Sequence, residues 1–373
     1  MPKEGVNYLY LQVNAKKEEG MRVEDIRRIR VLMFPLSLLY GVVTWVRNWM
    51  FDHGVLKGER FEVPVIGIGN ITVGGTGKTP MVEFVLSRLL SRGVKVAMLS
   101  RGYRRRTRGF VLASEGVTAH EIGDEPMQVH ARFPGVTVAV DEKRAHGIRE
   151  LMRRERLGAV VLDDAFQHRW VVPSVNVLLM DYGRPIYEDW LLPLGDLREG
   201  RSGVRRADAV VVTKCPEGMS GGMMEEVRMR LGAQERGQEV FFTRIRNGEP
   251  RAVFVEAEGV TVGSRVLLVT GVGRPEPLIE VLNGRYEEVR VRRFGDHHEL
   301  TRAEADALEG EMEADEGLSM LTTEKDAWRL RGMAFMRGER YETMRRRMFY
   351  VPMEVEFLGG EERFERLITV NNK

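Results

Sequence analysis

The chain has 373 residues, 43% of them hydrophobic, which is enough for two lobes with cores of their own. Lys+Arg (57) nearly balances Asp+Glu (55), and a formal net charge of +2 does not mark a general nucleic-acid binder. The single cysteine, Cys215, excludes an intrachain disulfide and reads as a small buried residue after an apolar run.

Residues 1–20 are polar and lack a signal-peptide layout. They are expected to form a poorly ordered extension ahead of a second start at Met21. Residues 21–58 are expected to form a membrane-associated N-terminal helix. Its centre, 31–51, reads VLMFPLSLLYGVVTWVRNWMF, with Pro35 near one end and Arg47 and Asn48 near the other. Tyr40, Trp45 and Trp49 favour the headgroup level, and Arg27, Arg28 and Arg30 precede the stretch.

The β-rich run 64–69 leads into Asn70-Ile-Thr-Val-Gly-Gly-Thr-Gly-Lys-Thr79, and a helical pattern follows up to Gly93. Strand, Gly-rich loop and helix are the context a P-loop requires. Thr72, Val73, Gly74, Gly75, Thr76, Gly77, Lys78 and Thr79 are the expected nucleotide-binding residues. Backbone N–H groups would curl around phosphate oxygens, Lys78 would reach the β/γ-phosphates, and the Thr79 hydroxyl would ligate Mg²⁺. The strict pattern has glycine where this chain has Thr72. A P-loop implies a nucleoside triphosphate without choosing between a kinase, a GTPase and a motor ATPase. The bulk of the chain must therefore face ATP. A spanning helix would leave its arginines outside, against the positive-inside tendency, so a helix lying in the cytoplasmic interface is expected.

Further apolar runs at 94–99, 136–140, 159–162, 176–180 and 209–212 alternate with helices and loops. The expected fold is α/β and P-loop NTPase-like: a mostly parallel sheet with helices on both faces, plus a second, smaller α/β lobe. Ligands should gather at the C-terminal ends of the strands. There the chain carries the basic loop 100–108, a candidate clamp for an anionic substrate, and the carboxylates Asp124 and Glu125 in a loop. Arg144, after another strand, reads either as a group that stabilises transferring phosphoryl charge or, more commonly for such a residue, as a surface salt-bridge partner. The apolar run 159–162 ends in Asp163 and Asp164, where the second magnesium-holding carboxylate of a P-loop enzyme sits, with Gln167 and His168 at the same rim. Thr213-Lys214 resembles a base-binding pair but lacks the Asn-Lys-x-Asp order that reads guanine.

The expected boundaries are a kinase core at 59–240, a connector at 241–262 and a C-terminal lobe at 263–373. The second lobe has no further phosphate loop. Asp296-His297-His298 has no thiol or further spaced histidine to complete a zinc site.

The segments GNITVGGTGKTP, SRGYRRR, GDEP, DDAFQH, LLPLGDLRE, FGDHHEL and TTEKDAWRL together resemble the tetraacyldisaccharide 4'-kinase family, in family order across most of 61–330. The resemblance implies transfer of the ATP γ-phosphoryl to the 4'-hydroxyl of a tetraacyldisaccharide 1-phosphate, giving lipid IV(A) in lipid A biosynthesis. It implies work at the cytoplasmic face of a Gram-negative inner membrane, on a glycolipid substrate, with no nucleic acid and no obligate protein partner. It further implies a catalytic dyad of Asp124 and His297, with Arg144 and His168 in support. Thr79, Glu125, Asp163 and Asp164 would hold Mg²⁺. Ala165 stands where the family often has glycine. A P-loop GTPase or metallochaperone ATPase and a soluble small-metabolite kinase are the competing readings.

Overall fold

The computed structural model describes residues 23–369 apart from 274, 296, 297 and 299, and only the backbone of 23–32, 337 and 339. The expected extension at 1–20 and His297 lie outside the described residues.

The first sheet grows from short apolar runs buried on both faces, the composition a parallel sheet demands. It contains β1 (Val65–Asn70), β2 (Val96–Ser100), β3 (Val111–Leu112), β4 (Thr137–Val140), β5 (Ala159–Asp163), β6 (Val175–Asp181), β7 (Ala209–Thr213), β8 (Glu239–Asn247) and β14 (Met353–Phe357). Their order is β14-β8-β7-β6-β1-β5-β2-β4-β3. All neighbours pair in parallel except the edge strands β3 and β14. Strand β1 lies between β5 and β6, so the chain crosses to the two sides of β1 and opens a crevice at its C-terminal end.

Helices cover both faces. On one, α2 (Lys78–Ser91) packs Met81, Val82, Val85, Leu86 and Leu89 against Ile66, Ile68, Val161 and Val177. On the other, α4 (Arg144–Arg154) lays Ile148 and Leu151 on Ala97, Leu99 and Val160. Helix α3 (Asp124–Arg132) connects β3 to β4, and α5 (Gly221–Leu231) connects β7 to β8.

The second sheet has the order β11-β10-β12-β13-β9, with β9 (Arg251–Ala252), β10 (Arg265–Thr270), β11 (Glu288–Arg293), β12 (Leu318–Thr323) and β13 (Met348–Val351). It carries α6 (Glu276–Asn283), α7 (Arg302–Ala314) and α8 (Glu324–Gly332).

The expected boundaries need two corrections. The stretch 241–262 is not simply a connector: β8 is a strand of the first sheet, paired in parallel with β7. The chain's end also leaves the second lobe, because β14 and α9 (Glu361–Ile368) return to the first sheet. The cause is aromatic packing. Phe241, Phe357 and Phe364 meet Phe84 of α2 in one cluster, burying apolar surface that neither strand could cover alone.

Helix α1 (Val23–Asp52) contains Pro35. No helix among the described residues is long and apolar enough to cross a membrane.

Candidate active site

The P-loop leaves β1 and enters α2. Gly74 (φ 98°) and Gly77 (φ 80°) occupy the left-handed region that side chains resist. Gly75 needs no such freedom, and open space surrounds it. The loop is braced from several strands. Asn70 Nδ2 donates to Thr76 Oγ1 at 2.7 Å, Thr213 Oγ1 donates to the Thr76 carbonyl at 2.9 Å, and Val73 N donates to the Asp196 carbonyl at 2.8 Å. Thr72 is buried and bridges to Leu197. Lys214, at positive φ, donates to the Gly75 carbonyl and, at 2.8 Å, to Asp181. The Thr213-Lys214 pair therefore buttresses the phosphate loop.

Lys78 opens α2, with Nζ 3.5 Å from Asp164 Oδ1. Thr79 follows in the first turn, half-buried. Asp163 ends β5 inside the protein, and Asp164 turns out at φ 46°. Aspartate tolerates this conformation better than most residues. The two carboxyls then diverge chemically. Burial pushes Asp163 up to about 7, with Asp164 and Glu125 adding repulsion. Burial also opposes the charge on Asp164, but Lys78 and Arg198 outweigh it and hold that carboxyl below the usual range. Ser100 Oγ donates to Asp163 at 3.2 Å.

Asp124 and Glu125 are not in a loop: they form the first turn of α3, whose partial positive charge suits carboxylates. The charge of Glu125 reaches Asp163, so the start of α3 adds to the negative field at the end of β5. Arg144 is not a surface ion-pair residue either. It is 3% exposed at the start of α4, with Nη1 3.2 Å from the Asp141 carbonyl. Burial pulls its guanidinium down to about 10, against Asp163 and Asp164. His168 is half-buried, and burial together with Arg144, Arg47 and Arg101 pulls it down to about 4. Buried Arg144 Nε and His168 Nε2 have no hydrogen-bond partner, the mark of a site awaiting polar atoms.

In the basic loop, Arg105 is used structurally: it donates to Glu142 and Gly109, with its side chain 2% exposed. Arg101, Arg104, Arg106 and Arg108 remain exposed.

Residues without an assigned role in the sequence reading complete the rim. Arg198 holds Asp164 at 3.1 Å, and Glu199, 3% exposed, accepts from Gln167, Asn48 and Arg206. Helix α1 docks on this rim: Ser37 donates to the Leu191 carbonyl, Tyr40 to the Arg198 carbonyl, and Arg47 to the Gln167 carbonyl. Arg47 and Asn48, the polar breaks in an apolar run, are thus docking contacts. The sequence signal for Arg198 and Glu199 was the LLPLGDLRE segment itself.

The donor set suits Mg²⁺. Asp163 and Asp164 adjoin at the end of β5, Thr79 stands in the first turn of α2, and burial pushes the Asp163 carboxyl up. Among the described residues no group of three side chains is ready to hold a metal alone. Mg²⁺ needs none, since it takes one or two carboxylates plus phosphate oxygens and water.

The family model described as tetraacyldisaccharide-1-P 4'-kinase (LpxK) matches residues 29–372. A tetraacyldisaccharide 4'-kinase of Phocaeicola vulgatus is 39% identical over 348 residues, 91% of this chain and 93% of the relative. One from Parabacteroides distasonis is 40% identical, covering 93% of this chain and 96% of the relative. The crystal structure of LpxK from Aquifex aeolicus in complex with ATP aligns with a TM-score of 0.68 and 28% identity, over 91% of this chain and 98% of that one. With the P-loop, the paired aspartates and the docked helix all within the matched span, the chain belongs to the tetraacyldisaccharide-1-P 4'-kinase family.

Proposed function

We propose that this kinase, which phosphorylates the 4'-hydroxyl of a lipid A precursor from ATP, divides the work among its residues as follows. The observation that supports the reading is the P-loop lysine beside the strand-end aspartate, with Lys78 Nζ 3.5 Å from Asp164 Oδ1. Asp124, in the first turn of α3, is then the acceptor-side carboxylate.

Lys78 and the P-loop amides hold the triphosphate, with Arg144 facing the transferring group. Thr79 and one or two of the carboxylates Asp163, Asp164 and Glu125 would hold Mg²⁺, which when bound neutralises charge on the phosphate oxygens. The transition state is loose, so placement and charge outweigh basicity. Asp124 accepts the sugar hydroxyl proton late, and His297 orients it from the second lobe. His168 is neutral near pH 7 and acts as a hydrogen-bonding group.

Helix α1 lies on the membrane with its apolar side in lipid. Phe34, Leu38, Leu39, Val43 and Trp45 are all more than half exposed, while the polar contacts face the rim. This is the polarity expected at a cytoplasmic leaflet. The acyl chains remain in lipid, and the sugar enters between α1 and the sheet rim.

The test is γ-labelled ATP with detergent-solubilised tetraacyldisaccharide 1-phosphate. Label on the lipid is expected, and its loss in Asp124→Ala. Free phosphate alone would favour an ATPase and sink the reading.

A further inference from the structure

Helices α3 and α8 pack antiparallel between the two lobes, and a charge pair closes each end. At one end Arg132, the last residue of α3, donates at 2.9 Å to Glu324, the first of α8, and at 2.6 Å to Glu83. At the other, Arg329 Nη2 donates at 3.0 Å to Oδ2 of Asp124, the first residue of α3.

Arg329 is itself held. Its Nη1 lies 3.1 Å from Asp326 Oδ1. The other Asp326 oxygen accepts from Gly271 N at 2.9 Å and Thr323 Oγ1 at 2.8 Å. The same Nη1 reaches the His298 carbonyl at 3.4 Å. The guanidinium is 11% exposed, so the contact is shielded from solvent.

A carboxylate rotates broadly about its last torsion unless a directional partner stops it. A planar guanidinium does so here with separate nitrogens for Asp124 and Asp326, a task the point charge of lysine performs less well. We propose that Arg329 is a positioning residue for the phosphoryl transfer, fixing Asp124 from the second lobe so that the acceptor-side carboxylate is set only when the lobes are docked. The proposal rests on the reading of Asp124 as proton acceptor. It explains why the acceptor-side carboxylate begins a helix whose neighbour belongs to the other lobe. The ion pair supplies the placement that a loose transition state needs.

The experiment measures kcat and KM for both substrates in Arg329→Ala, Arg329→Gln and Arg329→Lys, with Glu324→Gln as a control at the far end of the same helix pair. Arg329→Ala should lower kcat about a hundred-fold, the cost of a misplaced group. KM for ATP and for the lipid should stay within about three-fold. Arg329→Lys should recover about ten-fold of the loss, since charge without the fork restores part of the bond. Glu324→Gln should lower the melting temperature and leave kcat nearly intact. In an Asp124→Ala background, Arg329→Gln should cost nothing further.

A full kcat in Arg329→Ala overturns the proposal. So does a loss that merely tracks melting temperature and that lysine fails to rescue. If Arg329→Ala does not fold, Arg329→Gln decides by the same criteria. An inactive Asp124→Ala beside a fully active Arg329→Ala sinks this inference alone. An active Asp124→Ala sinks the reading beneath it.

Discussion

Lys78 Nζ stands 3.5 Å from Asp164 Oδ1, and Arg198 Nη1 stands 3.1 Å from the other oxygen of the same carboxylate. The P-loop lysine is thus aimed before any phosphate arrives, by an acid that holds its charge because two cations flank it. Asp164→Asn should release Lys78 and lower kcat about a hundred-fold or more, as loss of a preorganised charged group does. Calorimetry should find metal-free ATP bound at least as tightly as by wild type, because an anion has left the phosphate site. Lys78→Ala should weaken that binding. Equal loss of binding in both variants would contradict the arrangement.

His168 is held neutral. Burial and three arginines pull it down to about 4, so it gains a proton only in acid. Imidazole resonances assigned by comparison with His168→Gln should not titrate between pH 5.5 and 8, a window chosen around the ordinary histidine value of about 6.5. A midpoint near the ordinary value would show that the pocket does not repel charge.

Glu83 makes the stability of the lobe junction depend on pH. Burial pushes its carboxyl up to about 8, and Glu324 adds repulsion that the shared Arg132 only partly offsets. The folded state therefore binds a proton that the unfolded chain releases at its ordinary value of 4.5. The stabilisation is complete below 4.5 and is lost as pH rises through about 8. Denaturant melts across that range should fall by up to about 1.4 kcal/mol per pH unit. Glu83→Gln should flatten the slope. An unchanged slope would assign the linkage elsewhere.

Trp45, 63% exposed, belongs to the outward side of α1. Trp45→Glu should weaken sedimentation with anionic vesicles about ten-fold or more, from the lost transfer energy of one large side chain. Turnover on a short-chain, detergent-dispersed acceptor should change little. Unaltered vesicle binding would put the membrane contact on another surface.

Much of the site was legible because its pieces are local. The phosphate loop is one contiguous segment between a strand and a helix, so spacing alone reports it. Asp163 and Asp164 end an apolar run, and strand ends are where such sheets bind ligands. Lys214 was legible as a strand-end residue, but its work on the Gly75 carbonyl was not, because that partner lies 139 residues away. The positions of β8 and β14 were hidden for the same reason: nothing near Phe241 announces Phe364.

The sequence by itself determined the parts this protein brings: a phosphate loop, paired aspartates at a strand end, an apolar helix and the family these motifs belong to. Only the tertiary structure decided how those groups behave. It drives Asp163 up and Asp164 down although they are neighbours in the chain, turns Arg47 and Asn48 into docking contacts, and sets Arg329 on Asp124 across two lobes. The physical reason is that residue type fixes which charges exist, whereas burial and the nearest opposite charge fix what each one costs and where it points.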